Sequence, residues 1–458
     1  MKYMLNSNYK RISAGEYTFM IDITEKEYGR SKPVLYVNSS TLHVLDLLKK
    51  HSKEEVLNIL LNEGDHSCSE EELRENIVST IEVLRREHVI FPEQDSIDTS
   101  VTHSLEKVGF GAVKGPLGKL RKPLIGVVEI TSLCNCNCPH CYVKGLDNSK
   151  QISTEKMLKI ASLFKSKGIL NVTITGGEPL LHPDFKDIYM EFKKQGFLID
   201  VFTNALLINE EIASFFAKNP PRSLDITLYG TSNEEYYRFT GIKNGYNDLC
   251  NALELLEKNG IFFSTKMILN NNNYTNLEKY NQIAVRYHAP FRYNVLIGQG
   301  NNTVKDPTEL MLSNDQIIEI EKRDPIKMKV FQDIVSKCNN LPYDCNEEEG
   351  WSQYICGAGL DKVFIGYDGK MSPCMTLRNK GLDLFEHGFD YIWDYWGEQR
   401  KRKLSRNFKC IECKYLPICT PCTEEFEQVN KDREQPIESR CDLAQKRWNL
   451  FIENNNNK

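Results

Sequence analysis

Apolar and polar positions alternate along this chain with two different periods, and the changes of period mark its parts. In residues 1–95 both periods occur. "YTFMIDI" and "PVLYVN" have strand composition. "SSTLHVLDLLKKH" opens on Ser39 or Ser40 as a cap and spaces Leu42, Leu45 and Leu48 by three, which predicts a helix with one apolar face. "SKEEVLNILLNEG" predicts a second helix that stops at Gly64. "SEEELRENIVSTIEVLRREH" predicts a third, with Ser69 and Glu72 at capping-box spacing, and "VIFPE" reads as a closing strand. Short strands around three helices predict a winged helix.

Residues 96–124 read as a linker, because "EKVGFGAVKGPLGKLRKP" carries four glycines and two prolines among scattered charges. From residue 125 to about 310 strand and helix patterns alternate. The strands are "LIGVVEI", "NVTITGG", "LIDVFTN", "SLDITLYG", "FFSTKMIL" and "FRYNVLIG"; helices such as "STEKMLKIASLFKSKG", "PDFKDIYMEFKKQG" and "YNDLCNALELLEKNG" lie between them. Six β–α alternations predict an α/β domain with a parallel sheet, open or curled into part of a barrel. Chemistry in such sheets sits in the loops after the strands. Residues 311–344 bridge to a segment, 345–441, in which periodicity fades and Gly, Pro and paired Cys dominate. That composition predicts a small domain stabilised by metal. Residues 442–458 are the C-terminal tail, whose end, "ENNNNK", is expected to fray.

Composition narrows the classes. A chain of 458 residues exceeds one ordinary domain, and 40% hydrophobic with 26% charged residues describes a globular protein. A net charge of −5 argues against nucleic-acid binding through bulk positive potential. "MKYMLNSNYKRISAG" lacks the apolar core of a signal peptide and no stretch approaches a membrane span, so a cytoplasmic protein with no membrane partner is expected. Fifteen cysteines in a reducing compartment then point to metal rather than disulfides. Cys68 and Cys250 stand alone and read as small buried hydrophobes. The other thirteen fall in two fields.

The first field is "EITSLCNCNCPHCYVKG", with Cys134, Cys136, Cys138 and Cys141 directly after the first strand. Cys134, Cys138 and Cys141 form a three-then-two spacing, with Tyr142 beside the last. Three thiolates on one loop can each take an iron of a cubane cluster and leave the fourth iron open. A structural zinc site would instead prefer four ligands in paired spacings. Thirty-five residues on, Gly176, Gly177, Glu178 and Pro179 follow the second strand, and glycine lets backbone approach a ligand closely.

This spacing, its place in the chain and the "GGEP" stretch resemble the radical S-adenosylmethionine (SAM) enzymes. The resemblance implies that Cys134, Cys138 and Cys141 hold a 4Fe-4S cluster whose unique iron chelates the amino and carboxylate groups of SAM, and that Cys136 is the odd one out. Electron transfer then breaks a sulfur–carbon bond and yields a 5′-deoxyadenosyl radical. The resemblance also places Tyr142, Gly176, Gly177, Glu178, Pro179, Thr203, Asn204 and Thr227 around SAM. Many relatives have an aspartate where this chain has Tyr229, which makes Thr227 the better ribose contact. Arg238 in "YYRFTG" matches a recurring arginine, and equally reads as a helix-surface residue.

The second field resembles the seven-cysteine SPASM extension, which carries two auxiliary 4Fe-4S clusters and brings the total to three. "CGAGLDKVFIGYDGKMSPC" supplies Cys356 and Cys374, "CIECKYLPICTPC" supplies Cys410, Cys413, Cys419 and Cys422, and Cys441 follows. Between the last two of the quartet stand two residues instead of the usual three. The resemblance assigns Cys356, Cys374 and Cys422 to one cluster and Cys410, Cys413, Cys419 and Cys441 to the other. The eighth ligand is Cys345, Cys338 or a substrate thiolate.

Enzymes of this kind mature ribosomally made peptides or activate sulfatases. The activators place an aspartate where this chain has Met375, which favours a peptide maturase. Residues 1–95 then resemble a PqqD-like winged-helix recognition element that captures a precursor's leader peptide as an added strand. The expected product is a cysteine thioether to Cα or Cβ, of the sactipeptide or ranthipeptide type, with flavodoxin or ferredoxin as electron donor. Carbon–carbon cross-linking uses the same parts. A non-catalytic leader-binding protein leaves "GGEP" unexplained, and a small-molecule enzyme leaves residues 1–95 without a partner.

Overall fold

The computed structural model describes residues 3–5, 9–14, 17–22, 34–37, 39–63, 69–86, 89–92, 121–141, 150–299, 306–336, 352–419 and 421–456. Among the described residues, five strands precede residue 95. β1 (Tyr3–Leu5) pairs antiparallel with β5 (Ile90–Pro92), and β2 (Tyr9–Ala14), β3 (Tyr17–Asp22) and β4 (Val34–Val37) form an antiparallel meander. Of these, β1 and β2 lie in a stretch read only for its lack of a signal sequence. All three expected helices form, over Ser39–Leu48, Lys53–Asn62 and Glu70–Arg86. Ser39 lies inside the first helix rather than before it. The Ser69–Glu72 box closes as expected: Glu72 N donates to Ser69 Oγ at 3.2 Å and Ser69 N to Glu72 Oε2 at 3.0 Å. Val44, Leu45, Leu48, Val56, Ile77, Ile81 and Leu84 build a core of their own.

All six expected barrel strands form: β6 (Ile125–Glu129), β7 (Asn171–Thr175), β8 (Leu198–Thr203), β9 (Ser223–Thr227), β10 (Phe263–Ile268) and β11 (Phe291–Asn294). They are parallel and neighbour one another in chain order. Right-handed crossovers that always step the same way put every helix on one face, the arrangement of a partial barrel rather than a doubly wound sheet. The register agrees. Val128, Ile174, Val201, Leu224 and Phe263 share one row and belong to the helix-side core. Their neighbours Glu129, Thr175, Phe202, Asp225 and Ser264 face the other way. That inner face is polar.

The helix Phe185–Lys194 shows how the outer layer is built. Phe185, Ile188, Tyr189 and Phe192 fall on one stripe and are all buried, each worth about 1.5–3 kcal/mol. The chain then reverses at Gly196, whose φ of 87° suits a residue without Cβ.

Beyond residue 345 the sheet continues. β12 (Lys362–Ile365) adds parallel to β6, and β13 (Lys370–Ser372) and β14 (Leu382–Asp383) extend it antiparallel. The cysteine-rich segment is thus joined to the barrel through its first strand. Its own apolar cluster is small: Ile355, Leu404, Phe408, Cys410, Leu416 and Phe426. Two long helices here were not read from the sequence, Phe389–Lys401 and Glu438–Asn456. The second runs through most of the C-terminal tail, held where Arg447 Nε and Nη2 donate to buried Glu321 at 2.8 and 2.7 Å. No helix among the described residues is long and apolar enough to cross a membrane.

Candidate active site

The loop after β6 is fixed from three sides. From the β7 side, Gly177 N donates to Thr131 O at 2.8 Å and Glu178 N to Leu133 O at 2.7 Å. From the β8 side, Asn204 Nδ2 donates to Asn135 Oδ1 at 2.7 Å and reaches Cys136 Sγ at 3.6 Å. From the β9 side, Asn137 N donates to Thr240 O at 2.8 Å. Gly176 and Gly177 are needed for this packing itself. A Cβ on Gly176 would lie 2.4 Å from Thr131 O, and one on Gly177 2.3 Å from Leu133 O. At these two glycines the backbone closely approaches the start of the cysteine loop.

Glu178 is fully buried and ties two strand ends together. Its Oε1 accepts from Thr203 Oγ1 at 2.8 Å and Leu180 N at 3.1 Å, and its Oε2 from Asn204 N at 2.7 Å. Burial pushes its carboxyl up to about 7, against three hydrogen bonds that favour the charged form. Pro179 starts a short 3₁₀ turn and is buried.

Cys134 and Cys136 sit close enough to perturb each other's ionisation, and Cys138 acts on Cys136. Cys134 is pushed up first by its hydrogen bond with Cys136, then by burial. Cys136 is lowered by its bond to Cys134, yet ends raised by Cys138, burial and neighbouring charge. Tyr229, raised first by burial, also feels Cys138, Cys136, Cys134 and Cys141 in turn. Its ring stacks on Phe239 at 6.0 Å, and His140 packs on Phe239 at 5.1 Å. Burial holds His140 down at about 4. Crowded thiols of this kind suit a cationic inorganic group that takes them as thiolates.

The later cysteines sort into two neighbourhoods. Cys374 and Cys422 are raised by burial and then, among other charges, by Cys356; Cys422, at about 12, also feels Cys374. Cys410, about 12, and Cys419, about 11, are raised by burial and by Cys441 and Cys413. Among the described residues no three His, Cys, Asp or Glu side chains converge on a point for a single metal ion. A cubane asks for something different, one thiolate per iron, spread around four irons.

Thr227 ends β9 and is partly buried. Arg238 is exposed on the helix Asn233–Thr240 and donates to Glu234 at 2.7 Å, the surface alternative its sequence allowed. Tyr142, Cys338 and Cys345 lie outside the described residues, as do Cys68 and Gly64. Sequence reasoning missed Asn135, whose partner is 69 positions away. It also missed Arg378, paired with Glu129 inside the barrel.

Residues 128–282 match the family model described as the Radical SAM superfamily. The chain is 26% identical over 313 residues to the antilisterial bacteriocin subtilosin biosynthesis protein AlbA of Bacillus subtilis strain 168, covering 66% of this chain and 67% of that protein. It is 23% identical over 315 residues to the AdoMet-dependent heme synthase of Methanosarcina barkeri, covering 64% and 89%. Its fold is similar to Streptococcus suis SuiB in a crystal structure bound to the precursor peptide SuiA, with a TM-score of 0.61 at 16% identity over 96% of this chain and 99% of that one. SAM and one 4Fe-4S cluster follow as the cofactors of such a domain. With its cysteine loop at the mouth of a partial barrel and a family match across that loop, residues 128–282 form a radical SAM domain.

Proposed function

We propose that this protein is a maturase that modifies a ribosomally made precursor peptide, forming a cysteine thioether to a Cα or Cβ carbon. One observation carries the reading. The likeness to SuiB bound to SuiA covers 96% of this chain, so it cannot leave out the N-terminal 95 residues, which a small-molecule enzyme does not need. The likeness to AlbA supports the same substrate class. In this reading residues 1–95 are a winged-helix-like element that takes the leader peptide along a strand edge, and the meander β2–β4 offers two such edges.

Bound SAM and the cluster supply a carbon radical able to remove a hydrogen atom. The chain's part is to hold and exclude. Cys134, Cys138 and Cys141 hold the cluster; the backbone of Gly176 to Pro179, with Tyr142, Thr203, Asn204 and Thr227, lines the SAM side. Cys356, Cys374 and Cys422, with Cys345, hold one auxiliary cluster, and Cys410, Cys413, Cys419 and Cys441 the other. A flavodoxin or ferredoxin supplies electrons. The mutual charge effects within these two groups support that division.

Co-expression with small cysteine-containing reading frames encoded beside the gene, followed by mass spectrometry, tests the reading. A thioether predicts loss of two hydrogens per site and a cysteine that no longer alkylates. The same loss with every cysteine free marks a carbon–carbon cross-link. No mass change on any neighbouring peptide, from enzyme that still cleaves SAM, rejects a peptide substrate.

A further inference from the structure

The inner face of the barrel carries one positive charge too many. Asp200 accepts from Asn171 Nδ2 at 3.1 Å and is bound by Arg222; Asp225 accepts from Ser264 Oγ at 2.7 Å and is bound by Arg292. Glu129 is taken by Arg378. Each carboxylate on these strands therefore has its own arginine. Lys266, in the row Thr227–Lys266–Arg292, has none. Asp200 favours its charged form but makes no ion pair with it, and among the described residues no other carboxylate does. Its ammonium lies 3.2 Å from the centroid of the Phe202 ring, on the same inner face. Burial lowers the amine to about 7.

A half-buried ammonium beside an aromatic ring keeps its charge at lower cost when an anion joins it. Lys266 stands next to Thr227, one strand end from Tyr229 and the cysteine loop, so an anion there lies inside the reaction chamber. The carboxylate of SAM is already assigned to the unique iron. We infer that Lys266 is the counter-ion of a carboxylate on the substrate, an Asp or Glu side chain or a C-terminus that enters the barrel. This rests on the peptide reading above and narrows it to an acidic segment near the modified residue.

The test is competitive labelling of the reconstituted full-length protein with acetic anhydride, read at Lys266 by peptide mass spectrometry. The reagent attacks neutral amines, and a bound carboxylate both protonates and covers this one. The probes are a blocked Gly-Gly-Glu-Gly-Gly peptide at millimolar concentration, its Gln counterpart, and SAM. The acidic peptide is expected to slow labelling about tenfold while the Gln peptide leaves it unchanged. Equal protection by both peptides, or by neither, overturns the inference. Protection by SAM as strong as by the acidic peptide reassigns the site to the cosubstrate and overturns it too. The labelling needs no turnover, so its failure is separable from a failure of the co-expression assay.

Discussion

Arg378 grips Glu129 at two points, with Nη1 donating to Oε1 at 3.0 Å and Nη2 to Oε2, across 249 positions of sequence. Glu129 ends β6, five residues before Cys134, and Arg378 lies four residues after Cys374. Both side chains are buried, at 1% and 7% exposure. The pair therefore ties the strand under the radical SAM loop to the turn that follows Cys374. Burial raises the Glu129 carboxyl, and Arg378 opposes this.

Breaking that pair from one side leaves a buried charge alone. Arg378→Met is expected to destabilise the apo chain by about 3 kcal/mol, and Glu129→Gln similarly. The double variant should recover much of the loss, since it removes both desolvated charges. Denaturant unfolding under anaerobic conditions measures this. Single variants within about 0.5 kcal/mol of wild type would show that the pair is not structural.

Gly176→Ala and Gly177→Ala each drive a methyl into backbone of the cysteine loop, which cannot rotate away. A cost of about 2 kcal/mol is expected for each, along with a displaced loop. Reconstituted iron should fall for these variants, whereas Gly298→Ala, with nothing within 4 Å of its added Cβ, should retain it. Equal iron in all three would refute the packing role.

The barrel was readable because its strands and helices carry strong periods and because three motifs fall at successive strand ends. The cysteine loop, "GGEP" and the Thr203–Asn204 step could each be placed before any coordinates. Pairings between distant positions could not. Nothing in "VVEI" announces Arg378, and only the period-two alternation of "FFSTKMIL", with Ser264 and Lys266 on one face, hints at an inward lysine. The role of the glycines was half legible: close approach was evident, but their packing against the neighbouring loop was not. Helix Glu438–Asn456 was missed because its asparagine-rich end has poor helix propensity, while packing of Arg447 on Glu321 anchors the part before it.

Glu178 gives the pH dependence a sign. Its folded carboxyl titrates near 7, above its ordinary 4.5. Below 4.5 both folded and unfolded chains carry the proton. Between 4.5 and about 7 only the folded chain keeps it, so its contribution to stability falls as pH rises through that window. The change is on the order of 3 kcal/mol. Unfolding of the apo chain at pH 5 and pH 8 should show a steeper decline in wild type than in Glu178→Gln. Parallel declines would mean that the hydrogen bonds from Thr203, Asn204 and Leu180 keep the carboxylate charged throughout.

The partition of thiols makes the last prediction quantitative. If three four-iron clusters are held as proposed, replacing Cys134, Cys138 and Cys141 together by Ala removes about a third of the iron and all SAM cleavage. Replacing Cys410 and Cys441 removes a different third, with cleavage of SAM retained. Cys250→Ser leaves iron unchanged, because that thiol sits on the helix Gly245–Lys258 and belongs to neither sequence field. Cys136 is the sharper test. Its sulfur lies 3.6 Å from Asn204 Nδ2, which already engages Asn135, and this contact gives it a protein partner of its own. Cys136→Ala should keep its iron and cleave SAM, while Cys138→Ala should do neither. The reverse result would move the ligand register by two residues and make Cys138, buried at 6% exposure, the structural thiol of the loop.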